Sequence, residues 1–377
     1  MKTFIMMAVA VLCASCTAKS SAPVSSGSEL GFAVHLFQNV LNHSAADDNV
    51  SVSPFSAGVA LSMLEEGAMG ETKVEIDNAL NGCLFKGIDL GSTDSAKVLS
   101  ANSIWLDDDF AVRNHYVSLM QNDYDALATT LNFSDPATVK AINNWCSEHT
   151  EGLIDDLLKE LPQGMKMVIA NALYFNAAWM DPFEPKATAN AEFHGSKGDK
   201  DIPFMAKKDF FDYAEFQGNQ LISLPYKDGR YSMYVLLPSS SLKLSEAAGY
   251  ITEQGIREAM KSMSRTQVSL RLPKFRLESE MSLVEPLQAM GMRSAFTGAA
   301  DLSGIAKGPL SVSDVLQKTV VDVDERGTEA AAVTAVMVKM TSVRPDFKVM
   351  NINRPFFYMI ADMQSERVLF AGRVMNL

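Results

Sequence analysis

Residues 320–338 read VVDVDERGTEAAAVTAVMV. Val320 to Val323 is strand-like, and the polar turn Asp324-Glu325-Arg326 with Gly327 interrupts it. Beyond the turn, period-2 reading puts Thr328, Ala330, Ala332, Thr334, Val336 and Val338 on one face, all small or β-branched and none charged. The other face starts with Glu329 and reaches Lys339. This alternation suits a strand with one buried face, although an alanine-rich start is poor for a strand. Gly327 supplies a flexible base for it. Periodicity alone leaves open a short alanine-rich helix or an ordinary edge strand.

Outward from this segment, the pattern is mixed. Glu29 to His43 places Leu30, Ala33, Val34, Phe37, Val40 and Leu41 at helical spacing. Ser53-Pro54 is a helix start, with Ser as cap and Pro at the first helical position. Ala57 to Leu64 continues that helix, and Gly67 or Gly70 ends it. Ala137 to Leu158 carries the same period. Lys166 to Phe175, Tyr231 to Leu237, Thr266 to Leu272 and Arg367 to Val374 read as strands. Helices and strands without strict βαβ alternation define an α+β chain.

The 377 residues include 33 Lys+Arg against 45 Asp+Glu, a net charge of −12. With 47% apolar and 21% charged residues the composition excludes intrinsic disorder. An acidic balance argues against nucleic acid as a partner, because phosphate neutralisation needs a basic footprint. It leaves room for cationic protein partners. Length alone allows two or three domains or one large core. No internal repeat, like-charge block or second linker lies between Glu29 and Leu377, which favours one domain.

The first residues read as a removable leader. Lys2 is the positive end, Phe4 to Leu12 a short apolar run, and Ala14-Ser15 the small residues before a cleavage point. Such a run is too short to span a bilayer, which takes about 20 apolar residues. Leu12-Cys13-Ala14-Ser15-Cys16 resembles a bacterial lipobox with Cys16 as the lipid anchor. Residues 1–15 are then a lipoprotein signal peptide. The rival reading is ordinary cleavage after Ser15 and a free secreted protein. Residues 16–28 are small, polar and punctuated by Pro and Gly, the composition of a tether. The expectation is export to the outer membrane or cell surface as a lipoprotein, or secretion. Cys13 and Cys16 also form a CxxC spacing, but inside the removable segment. Only Cys83 and Cys146 remain, which is no disulfide framework.

Catalytic chemistry is not apparent. There is no GxSxG elbow for a strained nucleophile. His35, His43, His115, His149 and His194 sit in no HExxH, and no two lie three or four apart on a helix face. No phosphate-cradling glycine motif occurs. No metal site or cofactor is expected, and the chain does not read as an enzyme.

Glu325-Arg326-Gly327-Thr328-Glu329-Ala330-Ala331-Ala332 closely resembles the reactive-loop hinge of inhibitory serpins, the serine protease inhibitor family. The resemblance recurs along the chain. It includes Asn49 to Asn81, Asn143 to Leu158, Asn171-Ala172-Leu173-Tyr174-Phe175 with Trp179, and Leu272-Pro273-Lys274-Phe275 with Leu283 to Phe296. It closes with Asn353-Arg354-Pro355-Phe356-Phe357 through Phe370-Ala371-Gly372-Arg373-Val374. What it implies is a serpin fold over 29–377: one domain with three β-sheets, eight or nine helices and an exposed reactive-centre loop at about 325–345.

The resemblance further implies a suicide-substrate inhibitor. A target protease cleaves the loop and is trapped as an acyl-enzyme while the freed loop inserts into the main sheet, a release of stored strain. The uncharged face of 328–338 fits entry into a sheet interior, where a charge would be costly. Counted from Glu325 by the usual spacing of inhibitory serpins, the resemblance implies a reactive bond between Thr341 and Ser342, suiting elastase-like proteases. Lys339 and Met340 are alternatives, Lys339 for trypsin-like enzymes, and Arg344 lies further along. Serine proteases are the implied targets, with cysteine proteases a further class, and the inhibitor is read as a monomer. Carried over residue by residue, Glu325, Gly327, Thr328, Glu329 and Ala330 to Ala332 form the hinge. Ser53, Ser56 and Asn171 form the shutter, a hydrogen-bonded cluster under the sheet. Gln317 stands there in place of the family's usual His; it can donate and accept but has no pH-sensitive group. Trp179 marks the breach at the top of the sheet, where Lys274 would pair with Glu325. The rival is a non-inhibitory serpin acting as a binding or carrier protein. Such members often carry charged, Pro-bearing or bulky residues in the hinge, and on the inserting face here Thr328, Ala330 and Ala332 are none of these.

Overall fold

The computed structural model describes residues 27–86, 96–242, 244–328, 347–362 and 364–377. Within them the helix Glu29–Asn42 begins where Ser28 Oγ accepts from the Gly31 amide at 3.0 Å. It buries Phe32 and Leu36 as well as Leu30, Ala33, Val34, Phe37 and Val40 of the expected face, while Leu41 is half-buried, so its apolar stripe is wider than the spacing suggested. The helix Pro54–Gly67 starts as expected: Ser53 Oγ accepts from the Ser56 amide at 3.1 Å, and Pro54 occupies the first turn. Nearly all its side chains are buried, so it runs through the core rather than along the surface.

The helix expected over Ala137 to Leu158 stops at His149. Glu151 and Gly152 take left-handed backbone angles, φ +52 and +78. Thr150 Oγ1 turns back to the Cys146 carbonyl at 2.8 Å and accepts from the Ile154 amide at 3.2 Å. Leu157 and Leu158 remain buried from an irregular segment, which is why the apolar period outlasts the helix. Asn143 holds that segment down, donating to the Leu158 carbonyl and accepting from its amide.

Among the described residues the strands join into two hydrogen-bonded sheets. The six-stranded sheet runs Phe275–Ser282, Asp314–Val323, Met167–Ala178, Ala96–Asp107, Leu127–Leu131, with the short Gly327–Thr328 set against Met167–Ala178. The larger sheet has nine strands, and Gly198–Phe216 sits at its junction. Three sheets were expected. The 19-residue strand Gly198–Phe216 is long enough to pair with Ala189–Gly195 at one end, Ser264–Pro273 in the middle and Asn219–Pro225 at the other, so two of the three are continuous. Eight α-helices are present among the described residues.

The central strand Met167–Ala178 sorts its side chains by period. Met167, Ile169, Leu173, Phe175 and Ala177 face the main core. Val168, Ala170, Ala172 and Tyr174 face two smaller apolar clusters, one including Ile142 and Cys146 and the other Ile154. Being buried on both faces, the strand reads as a nearly unbroken apolar run.

Candidate functional site

Met167–Ala178 has antiparallel Ala96–Asp107 on one edge, paired up to Ala96 opposite Ala177. On its other edge Asp314–Val323 runs parallel, from Asp314 opposite Val168 to Val320 opposite Tyr174. Above Tyr174 that second edge has no partner from Asp314–Val323. Gly327–Thr328 takes the vacant edge, antiparallel, with Gly327 opposite Ala178 and Thr328 opposite Ala177. The chain has therefore turned back at 324–326 and placed two residues at the mouth of the seam between two parallel strands.

The turn is built by Asp324. Its Oδ1 accepts from the Arg326 and Gly327 amides at 2.8 and 3.2 Å, and its own amide donates to the Gly327 carbonyl at 2.9 Å. An Asp side chain bonding backbone two and three residues on is a common way to fix a turn. Gly327 has φ +143, and a Cβ there would lie 2.1 Å from the Ala177 carbonyl oxygen. Only glycine allows this approach.

Glu325 anchors the same turn. Lys274 Nζ lies 2.7 Å from its Oε2, and Thr188 Oγ1 donates to its Oε1 at 2.7 Å. Burial pushes the Glu325 carboxyl up, but the hydrogen bonds from Lys274 and Thr188 and the ammonium charge outweigh it, and the carboxyl sits below its usual range. Trp179 closes the end: its amide donates to the Arg326 carbonyl at 2.8 Å and its Nε1 to the Asp324 carbonyl at 3.0 Å. Its indole stacks on Tyr226 at 4.6 Å between centroids.

Lower in the seam lies a buried polar row. Register places Asn102 opposite Asn171 and Gln317 opposite Asn171, one amide on each of three adjacent strands. Gln317 accepts from the Ser53 amide at 2.7 Å and donates to the Ser53 carbonyl at 3.0 Å and to Asn171 Oδ1 at 3.1 Å. Asn171 donates to the Ser56 carbonyl at 3.1 Å and to Asn102 Oδ1. Ser53, Ser56, Asn171 and Gln317 are buried to 1% exposure or less. In so dry a place each of these bonds removes a costly unpaired group. Ser56 Oγ is buried with no hydrogen-bond partner among the described residues.

The structure thus gathers Ser53, Ser56, Asn171 and Gln317 into one cluster, and Trp179, Lys274, Glu325, Gly327 and Thr328 into another. Glu329, Ala330, Ala331, Ala332, Lys339, Met340, Thr341, Ser342 and the anchor Cys16 lie outside the described residues. Sequence reasoning missed Asn102, whose signal was a lone amide beside Ser103 in the otherwise apolar stretch Ala101 to Leu106. It missed Thr188 and Tyr226, which act across distances that leave no local trace. Asp324, three residues before Gly327, carried a readable turn signal.

A two-sheet α+β fold with a chain segment starting into a seam between parallel strands matches a known class. The family model described as Serpin (serine protease inhibitor) matches residues 28–377. Iris of the tick Ixodes ricinus is 34% identical over 369 residues, covering 92% of this chain and 98% of Iris. The leukocyte elastase inhibitor of Sus scrofa is 32% identical, covering 91% of this chain and 97% of that protein. Among solved structures, the thermophilic serpin tengpin in its native state superposes with a TM-score of 0.84 at 30% identity, over 93% of each chain. The chain belongs to the serpin family. It is accordingly a protein of the protease-inhibitor class rather than an enzyme.

Proposed function

We propose that this serpin is a suicide-substrate inhibitor of serine endopeptidases, with cysteine endopeptidases as a second target class, and that it acts by inserting its cleaved loop between Met167–Ala178 and Asp314–Val323. The observation that carries this is the pairing of Gly327 with Ala178 and Thr328 with Ala177. Continued in the same register, Ala330 meets Phe175, Ala332 meets Leu173, Thr334 meets Asn171 and Val338 meets Met167. Directly paired residues share a face. Thr328, Ala330, Ala332, Thr334, Val336 and Val338 would therefore enter the core side that Phe175, Leu173, Ile169 and Met167 already occupy. That is the uncharged face of the alternation. The proposed reactive bond, Thr341–Ser342, falls just past the end of the strand, where a covalently held protease would be carried to the far end of the molecule.

Insertion in this register replaces the ladder between Asp314–Val323 and Met167–Ala178, and it separates Gln317 from Asn171. Thr334 would arrive at that row, bringing a hydroxyl that can donate and accept where an amide pair has parted. The polar row acts in this reading as a fastener whose lost bonds the incoming strand restores. The hinge anchors, Glu325 with Lys274 and Thr188, hold the entry point in register.

Elastase-like enzymes would use Thr341, and trypsin-like enzymes Lys339, with Met340 between them. Incubation with both kinds of protease should give a complex that survives denaturant on a gel, and mass analysis of the released C-terminal fragment should locate each cut. Quantitative loop cleavage with no stable complex, for every serine and cysteine protease tried, would overturn the inhibitor reading in favour of a carrier. The lipobox-like Leu12 to Cys16 supports export with a lipid on Cys16, residues 16–28 serving as tether. Loss of metabolic fatty-acid labelling in Cys16→Ser checks the anchor; unchanged labelling would refute it.

A further inference from the structure

Ala189–Gly195 and the start of Gly198–Phe216 form a tight hairpin around Ser196-Lys197. His194 stands directly opposite Asp199, and Glu192 opposite Asp201. Cross-strand partners and residues two apart share a face, so these four project on one side. All four are exposed. His194 Nδ1 lies 3.1 Å from Asp199 Oδ1. The donor atoms of Glu192, His194 and Asp199 all lie within 4.8 Å of one another. Ligands at about 2.0–2.2 Å around one tetrahedral ion sit roughly 3.3–3.5 Å apart, so the trio needs only side-chain rotation to share an ion.

The scaffold under this face is held on several sides. The His194 amide donates to the Asn353 carbonyl at 2.8 Å, the Ser196 amide to the Met375 carbonyl at 3.1 Å, and the Lys197 amide to Asn376 Oδ1 at 2.7 Å. Phe193, between the two ligating positions, is buried at 1% exposure and pins the strand to the core. Asn190 Nδ2 holds Asp201 Oδ2 at 3.1 Å, which leaves Asp201 as a supporting carboxylate beside the trio. The lysine at the turn, Lys197, is paired with Asp48 at 3.0 Å. By register Lys200 projects with Phe193 on the opposite side of the strand.

We propose that Glu192, His194 and Asp199 form a binding site for one divalent transition ion of the Zn2+ type. An imidazole with two carboxylates suits zinc, cobalt or nickel, whereas calcium wants six to eight oxygens. The ion would sit between His194 Nδ1 and Asp199 Oδ1, which lie 3.1 Å apart, with its remaining positions filled by water. Bound there, it clasps the two strands of the hairpin next to the C-terminal residues Met375 and Asn376.

Calorimetric titration of zinc chloride into the full chain, free of any polyhistidine tag, should show one site of micromolar strength. His194→Ala should weaken it at least about tenfold, the scale on which even supporting residues of metal sites act, and Asp199→Asn, which keeps the side-chain shape, should weaken it comparably. Cobalt should give a visible absorption band characteristic of low coordination in the parent chain and lose it in both variants. Melting temperatures in chelator should match among all three, since these side chains are exposed. Zinc bound with unchanged affinity by His194→Ala, or no zinc binding up to millimolar concentration, would overturn the assignment.

Discussion

Gln317 shows what one side chain carries in this molecule. Its amide bonds Ser53 at both backbone groups and Asn171 at the side chain, joining the helix Pro54–Gly67 to two strands of the smaller sheet. Gln317→Ala leaves the Ser53 amide and Asn171 Oδ1 unpaired in a dry interior. The expected loss is about 1–3 kcal/mol of stability, readable in urea unfolding. A loss below the error of that measurement would mean that the row is not under tension or that water replaces the amide. Glu325 is the titrating counterpart. Its carboxyl is held below its usual value, so its contribution to the turn at 324–327 is complete above the unfolded pKa and fades as pH falls through the folded one. The Phe183 amide, which donates to the Glu325 carbonyl, should therefore lose protection relative to its intrinsic exchange rate on acidification below about 4.5, the ordinary Glu value, and Glu325→Gln should remove that dependence. The identity of these residues was legible only through the family resemblance. Nothing in Lys274 or Gln317 by itself points across a gap of dozens of residues.

At the scale of elements, local chemistry was read well and long-range chemistry was not. Ser53-Pro54 fixed a helix start, and the strand Arg367–Val374 has the bounds that its pattern suggests. Ala137 to Leu158 misled, because apolar spacing is kept by a segment that has left the helix at Glu151 and Gly152. In the proposed mechanism the turn at 324–327 is the element that matters. Gly327→Ala sets a Cβ 2.1 Å from the Ala177 oxygen and favours a different backbone angle. Thr328 can then no longer dock opposite Ala177 without a backbone shift. The expectation is more cleaved substrate per trapped protease, a rise of severalfold in the inhibitor needed to quench one enzyme, which titration against an elastase-like protease measures. An unchanged ratio would show that docking of the first two residues does not guide insertion.

For the whole molecule, the proposed mechanism requires that the uncleaved fold is not the lowest state. The strand Met167–Ala178 pairs with Asp314–Val323 over seven residues, and the inserted loop would add a strand between them with ladders on both edges. The loop-cleaved protein should melt well above the intact one. Equal melting temperatures would remove the stored energy from the account. An acidic surface with a net charge of −12 should also speed encounter with cationic proteases, less so at high salt. Twenty-two methionines fit a core that repacks, since an unbranched thioether fills irregular space. The sequence by itself determined the secondary-structure mix, the helix caps and the uncharged face of 328–338, because these depend on spacings of two to four residues. It did not determine that Asp314–Val323 lies parallel beside Met167–Ala178, that Asn102 completes the polar row, or that Gly198–Phe216 joins two sheets into one. Nor did it pair His194 with Asp199 around a turn. Those facts come from strand partners and registers set by packing across the whole chain, and only the tertiary structure decides which of many apolar strands meet.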